Sequence, residues 1–568
     1  MFMLRRLLLL VITFLAISCY SQYYDNQTTY NISAMPKREV RAVWLTTLGN
    51  LDWPKTFATS EYGVERQKRE LIYMLNQYQK ANINTVLLQT RVRAATIYPS
   101  NIEPWDECIT GKAGQAPPYG YDPLKFAVEE CHKRGMEIHA WIAAVPVGAS
   151  KSLGCRQMKS KGFDIRGFSS GSYVNPSDPK IAEYLADICA EITRNYDIDG
   201  INLDYIRYPD GWRSPTYRNG DTPNNRRENI TRIVKAVHDK VKAIKPWVKI
   251  SCSPIGKYSD LSRYSSKNYN ARDRVSQEAQ AWVKAGIMDQ LYPMQYFLGN
   301  NYYPYCADWM ENSNNKDIIS GLGTYFLDPR EGKWTLSDIS RQMYVSRSLG
   351  MGHAHFRSSF LLNNREGIFS FEKYFNAYPA LTPAMTWQSK SLPNVPILKK
   401  DIDFITYTTN NDAIINWQGN APYYNIYIDT NYPVDITNSR NLVISRYDGT
   451  SFRHSNAHVK KIYYAITAMD RFGNESAPLQ ATAKPSEKKK LLDNNGAELE
   501  LPNECQENDF KYYTIESLEG VVLRKIFADY SNARTIGIYM LPQGVYSIRG
   551  HKSKHKTGSR IGFFAIKK

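Results

Sequence analysis

From residue 38 to about 375, short apolar runs alternate with longer segments in which hydrophobic side chains recur every three or four positions. The short runs read as strands and the periodic segments as helices with one buried face. Eight strands are predicted: Arg41–Thr47, Thr85–Thr90, Glu137–Ile142, Gly200–Tyr205, Val248–Cys252, Met288–Tyr296, Ile318–Tyr325 and Gly352–Phe360. Between them, Leu71, Met74, Leu75 and Tyr78 form one helical stripe; Leu124, Ala127, Val128 and Cys131 form a second; Ile181, Tyr184, Leu185 and Ile188 form a third. Asp122-Pro123 and Asp178-Pro179 place a capping carboxylate before a proline at the first helical position, and Gly135 stops the second helix. Eight strand-helix units in about 340 residues are the arithmetic of a (β/α)8 barrel. A doubly wound open sheet is the runner-up, disfavoured because Leu48-Gly49-Asn50-Leu51-Asp52-Trp53-Pro54 stands where a glycine-rich phosphate loop would follow the first strand.

Beyond Lys390 the pattern turns all-β, with Phe404–Thr408, Ala413–Trp417, Tyr423–Ile428 and Ile462–Thr467 separated by Asn, Gly and Pro turns. A sandwich over residues 395–482 is predicted, and Tyr463–Ser476 resembles the last strands of a fibronectin type III domain. A polar linker, Lys484–Asn495, leads to a small β-module over 496–568 with short strands around Gly537-Ile538-Tyr539 and Gly544–Arg549.

The composition, 42% hydrophobic and 22% charged over 568 residues, excludes wholesale disorder and a fibrous rod. Residues 1–18 carry Arg5 and Arg6 before an apolar run, Leu7–Ile17, the proportions of an export signal. Small residues precede Cys19 much as in a bacterial lipoprotein, so lipidation of Cys19 and attachment to the envelope membrane are expected. Ordinary signal cleavage nearby is the alternative. No later stretch is apolar for long enough to span a bilayer.

The formal charge of +17 favours anionic surfaces, but the basic residues are scattered, which argues against nucleic acid as a partner. The exception is Arg549–Lys568, where seven Lys or Arg occur without an acid, and which reads as a solvated basic face. Eight cysteines without C-x-x-C spacing suggest neither zinc nor redox chemistry; with Cys19 lipidated seven remain, so any disulfide pairing leaves at least one thiol free. No obligate protein partner is inferred.

In a parallel barrel the working residues sit at the C-terminal strand ends. The fourth strand ends Asp199–Pro209, with Asn202 and Asp204 on one face by the two-residue period. Asp204 is the leading catalytic candidate, since a carboxyl among aromatic rings can act as nucleophile or proton donor. Pairing with Arg207 or loop capping is the structural alternative.

At this point a resemblance becomes specific. Tyr98–Trp105, Thr110–Pro117, Gly120–Leu124 and His139-Ala140-Trp141 closely resemble the glycosyl hydrolase-like 10 family. Arg41–Leu45, Gly49–Pro54, the fourth strand, Ser253–Gly256 and Gln295-Tyr296 continue the match, over about residues 37 to 380. The resemblance implies a (β/α)8 glycoside hydrolase-like lipoprotein of the bacterial envelope, with its barrel placed at 37–385. Three positions depart from the family's pattern: Ala95 and Tyr205 stand where it usually has Asp, and Ala143 where it commonly has Asn.

Glycoside hydrolysis normally uses two carboxyl groups. Asp52 is ranked next to Asp204, followed by Asp106 and Asp328, whereas Glu103 is expected to hold its loop. Trp53, Trp141, Tyr208 and Tyr296 lie at predicted strand ends, where flat rings pack on pyranose faces, with Arg91, Asn202 and Gln295 as hydrogen-bonding partners for hydroxyls. His353 and His355 share a strand face, but without a third ligand at useful spacing no metal is expected, nor any cofactor. The expected function is an exported, lipid-anchored glycoside hydrolase acting on an envelope or extracellular polysaccharide, with peptidoglycan glycan strands a plausible substrate. The competing readings are an inactive glycan-binding barrel and an adhesion or scaffold protein built on the fibronectin-like part.

Overall fold

The computed structural model describes residues 35–480 and 491–566, apart from 263, 265–268, 409–411, 456, 458–461, 503–504, 506–509, 518–520, 529–534 and 554–557. The export signal, Cys19 and most of the linker lie outside the described residues.

Eight parallel strands close a barrel: β1 (Arg41–Leu45), β2 (Thr85–Arg91), β3 (Glu137–Ala143), β4 (Gly200–Asp204), β5 (Lys249–Cys252), β6 (Gln290–Leu291), β7 (Asp317–Leu322) and β8 (Gly352–His355). They pair in chain order, and β1 closes on β8 through Arg41 opposite His353 and Val43 opposite His355. Every residue of β1 to β5 is buried. That is why these strands read as continuous apolar runs: a parallel sheet is covered on both faces, by barrel interior and by helix.

Helices Glu61–Lys80, Pro123–His132, Lys180–Asn195 and Pro223–Ile244 cover the outside. Asp122 accepts the N–H groups of Leu124 (3.1 Å) and Lys125 (3.0 Å). Asp178 stands one residue ahead of the helix cap, Pro179, yet still takes the Lys180 N–H at 3.0 Å.

Three predicted strands stop short. β6 shrinks to two residues because Pro293 has no N–H to give the ladder. β7 ends at Leu322 in a 3₁₀ turn, Thr324–Leu327, and β8 ends at His355 before a helix at Ser358–Leu362. In both, the apolar run continues past the ladder into loops over the barrel mouth. A segment between β3 and its helix, not anticipated from the pattern, folds as a three-stranded antiparallel sheet (Pro146–Gly148, Ile165–Phe168, Gly171–Val174) flanked by a helix at Leu153–Ser160.

After the barrel, two three-stranded antiparallel sheets pack on Ile415, Trp417, Tyr424, Ile426 and Ile466. This sandwich is seated on the N-terminal end of the barrel strands. Arg446 lies 3.2 Å from Glu137 and also pairs with Asp199; Arg471 reaches Asp197 at 2.9 Å and Lys37 reaches Glu475 at 2.6 Å. The contact is close enough that a Cβ on Gly135, whose φ is +70°, would sit 2.2 Å from the Ser445 carbonyl oxygen. A separate four-stranded sheet, in spatial order Val522–Phe527, Tyr512–Glu516, Gly544–His551 and Ser559–Ile566, forms the C-terminal module together with a two-stranded ribbon. The seven described cysteines are buried, and none of them is in a disulfide. Among the described residues no helix is long and apolar enough to cross a membrane.

Candidate functional site

A cavity of about 490 Å³ opens at the C-terminal end of the barrel, where the loops converge. Thr46, Gln89, Trp141, Asp204, Tyr296, Tyr325 and Phe356 line it from seven strand ends, and Tyr173 reaches in from the antiparallel insertion. Phe356 anchors the aromatic wall, with ring centroids 6.4 Å from Trp141, 5.5 Å from Tyr296 and 5.8 Å from Tyr325.

Asp204 is the last residue of β4 and sits in register with Ala143 of β3. The two-residue period therefore turns Trp141 to the same inner face, and its indole N–H donates to Asp204 Oδ2 at 3.0 Å. The Tyr205 N–H donates to Oδ1 at 2.7 Å. Tyr205 adopts φ +51°, which bends the chain at once out of the strand. Burial pushes the Asp204 carboxyl above its ordinary range, against the opposing pull of the Arg207 guanidinium and the two N–H donors. A carboxyl enclosed in this way keeps its proton to higher pH than an exposed one and is better suited to donating it.

Of the other expected site residues, Trp141 and Tyr296 line the cavity with Asp204. The structure places the rest elsewhere, each for a local reason. A β-bulge between Gln89 and Arg91 turns Arg91 to the helix side, where it forms an ion pair with Glu103 (2.7 Å) that Tyr184 completes. Asn202 faces inward but one layer deeper, bonded to Ser251 (3.0 Å) and Ser253 (2.9 Å). Trp53 is wholly buried and gives its indole N–H to the Gln67 carbonyl at 3.0 Å. Tyr208 packs under Arg226 and Trp212, and Gln295 donates to Cys306 Sγ at 3.3 Å.

Asp52 ties the β1 loop to the β8 loop: it accepts Thr46 N–H and Ser359 N–H, each at 3.0 Å, and pairs with Arg357 at 2.5 Å. Asp106 caps the helix at Glu107–Thr110, and Asp328 is held by Arg330 and Arg365. Besides Asp204, the carboxylate lining the cavity among the described residues is Glu331, exposed on the loop after β7.

Arg93, Tyr173, Tyr205, Arg207 and Glu331 line the cavity without having been singled out from sequence as site residues. Arg93, Tyr205 and Arg207 stand within three residues of a strand end, so a wider window around each end would have found them. Tyr173 and Glu331 sit in long connections whose course local pattern does not give.

The fold supplies the third group that sequence spacing did not offer to His353 and His355. Glu372 lies 2.9 Å from His353 Nε2 and 3.1 Å from His355 Nε2, all three buried. Asn376 Nδ2 (2.6 Å from Glu372) and Thr324 Oγ1 (2.8 Å from His355 Nδ1) complete a hydrogen-bonded network between β8 and the last barrel helix. The cluster offers three metal-ligand groups and lies away from the residues that line the cavity.

The family model for Glycosyl hydrolase-like 10 matches residues 39–321. "Glycosyl hydrolase YngK" of Bacillus subtilis (strain 168) is 28% identical over 501 residues, covering 80% of this chain and 94% of that protein. "Glycosyl hydrolase DigH" of Escherichia coli (strain K12) is 28% identical over 333 residues, covering 52% of this chain and 75% of its own. Among solved structures, alpha-L-fucosidase isoenzyme 2 from Paenibacillus thiaminolyticus aligns with TM-score 0.41 and 14% identity, covering 64% of this chain and 52% of that one, a score that adds nothing to the chemistry.

Proposed function

We propose that this chain, whose residues 39–321 match the Glycosyl hydrolase-like 10 family model, is a glycoside hydrolase that cleaves glycosidic bonds of a cell-envelope or extracellular polysaccharide with Asp204 as general acid. The observation that carries the assignment is the placement of Asp204: enclosed at the end of β4, lining the cavity, fixed by the Trp141 indole and biased toward its protonated form. In this role the carboxyl gives its proton to the glycosidic oxygen as the bond to the anomeric carbon breaks. The aromatic wall of Trp141, Tyr296 and Phe356 receives the sugar faces. Glu331, three strands around the barrel from β4, is the second carboxyl of the cavity and takes the partner role, activating the water that adds to the anomeric carbon.

Peptidoglycan glycan strands are the first polymer to test, because the apolar segment before Cys19 reads as an export signal and the sequence resembles a lipoprotein of the bacterial envelope. Lipidation of Cys19 would hold the enzyme at that membrane.

The test is mass spectrometry of products after incubating the protein, Asp204→Asn and Glu331→Gln with peptidoglycan glycan strands and a panel of polysaccharides. New reducing ends from the parent and a loss of about 10²-fold or more in Asp204→Asn support the reading. If no protein releases product while all still bind glycan, the barrel is a binding domain and the hydrolytic role of Asp204 is wrong.

A further inference from the structure

The cavity carries more cation than its carboxyl groups need. Arg93, Arg207 and Arg357 line it against Asp204 and Glu331. Arg357 is spoken for, paired with Asp52. Arg207 is not: its side chain is 7% exposed, yet among the described residues Nε and Nη1 have no hydrogen-bond acceptor, and Nη2 only approaches Asp210, an exposed residue, at 3.4 Å. Arg93 is exposed on the loop after β2, and no hydrogen bond or ion pair of its side chain occurs among the described residues.

The two guanidinium groups share a neighbour in Tyr205: the Arg207 guanidinium lies 4.7 Å from its ring centroid, and both arginines act electrostatically on its hydroxyl. Asp204 does not satisfy Arg207: its oxygens take the Trp141 and Tyr205 N–H groups, and no hydrogen bond or ion pair joins it to Arg207 among the described residues. A buried guanidinium with idle donors is costly unless an acceptor arrives, and a planar fork of N–H groups matches a carboxylate.

We infer that Arg207 and Arg93 form an anion subsite beside Asp204, which recognises a carboxylate carried by a sugar of the substrate. The inference rests on the glycan reading above and narrows it from glycans in general to acidic ones. A carboxylate bound there supplies the acceptor that Arg207 lacks and fixes the sugar's register relative to Asp204. A hydroxyl can accept a hydrogen bond from Arg207 but brings neither the charge nor the two-point match of a carboxylate, so glycans carrying only hydroxyls bind more weakly and with a looser register.

The experiment is calorimetric titration of the full chain bearing Asp204→Asn, which keeps the ligand intact and mimics the neutral carboxyl. The ligands are soluble peptidoglycan strand fragments, whose lactyl ethers carry carboxylates, and oligogalacturonate, a uronic-acid source. Each is compared with its carboxyl-reduced alcohol and with a sulfated counterpart, at low and high salt. At least one acidic ligand is expected to bind about 10-fold tighter than its alcohol, with the advantage shrinking at high salt and disappearing in Arg207→Met. Arg93→Ala, an exposed change that leaves the fold intact, is expected to lose part of the same advantage, so the test survives if Arg207→Met fails to fold. Equal affinity for acid and alcohol overturns the subsite, and so does tighter binding of the sulfate ester. Binding of no glycan at all overturns the glycan reading together with it.

Discussion

The two ends of the barrel both bury charge, and they treat it in opposite ways. At the N-terminal end every depressed carboxylate has a cation against it: Glu39 lies 2.7 Å from both Arg41 and Arg347, Glu137 lies 2.6 Å from Lys249 and 3.2 Å from Arg446, and Asp199 pairs with Arg446. At the C-terminal end, among the described residues, Asp204 forms no ion pair, Arg207 keeps two donors without acceptors, and the Arg93 side chain makes no hydrogen bond or ion pair. The same barrel thus has a floor where charges hold a second domain in place and a mouth where charges are left for a substrate. An unpaired buried charge is a stability penalty, and the gathering of Asp204 and Arg207 around one cavity is the physical mark of the site.

The largest expected effect tests the mouth. Asp204→Asn should lower turnover by about 10²- to 10⁴-fold while leaving the urea midpoint unchanged or slightly raised. The second half follows from sign: a carboxyl whose folded proton affinity is raised destabilises the protein once it ionises, and Asn cannot ionise. A drop in both activity and stability would place Asp204 among the structural groups and erase the contrast between the two ends.

The floor should behave in reverse. Arg446→Met leaves Glu137 and Asp199 short of a buried cation and is expected to cost about 3–5 kcal/mol in urea unfolding. Glycan affinity, measured under conditions where the variant is folded, should stay within about twofold, because the cavity lies at the other end. Arg471→Ala, which removes a part-exposed pair with Asp197, should cost no more than about 1 kcal/mol. If deleting the sandwich left the barrel equally stable and active, the floor would not be the clamp described here.

The difference between the ends also governs what the sequence reveals. The strands are legible because parallel strands are apolar on both faces, and Pro293 alone explains why β6 is shorter than its hydrophobic run. Asp204, Trp141 and Tyr296 are legible because they combine the inward face with a strand end. Asn202 has the same parity as Asp204 yet lies a layer below: periodicity gives the face and not the depth. Arg91 was misplaced by a bulge, which shifts parity by one without any compositional sign. Arg446 meets Glu137 across 309 positions of sequence, a pairing that no local pattern carries.

Acid titration should separate the two ends. The guanidinium groups of Arg41 and Arg347 bring Glu39 from 4.5 down to about 2, and Glu137 and Asp199 lie lower still through Lys249, Arg446 and His132. A carboxylate with lowered folded affinity stabilises fully above its unfolded value and loses that contribution as pH falls through the folded one. Stability should therefore drop steadily from about pH 4.5 to pH 2, and the drop should be smaller in Arg446→Met. Asp317, pushed by burial to about 6, works in the other sense, lowering stability as pH rises from 3.8 to about 6. Stability measured by denaturation should accordingly peak on the acid side of neutrality, and a curve flat from pH 2 to 5 would contradict the floor network.

The smallest expected effect is the most local. Trp141→Phe keeps a ring on the cavity wall and removes the N–H that Asp204 Oδ2 accepts. That donor favours the ionised carboxylate, so its loss should raise the proton affinity of Asp204 further. Since the acid must be protonated to work, the alkaline limb of the pH–rate profile should move up, by about half a pH unit to one unit for a single lost hydrogen bond. Turnover on the acid side of that limb should change little. Arg207→Met should move the same limb in the same direction, because the guanidinium also favours the ionised form, and should in addition weaken binding of acidic sugars. A profile that moved in neither variant would mean that another group sets the limb, and Asp204 would lose its place as the proton donor.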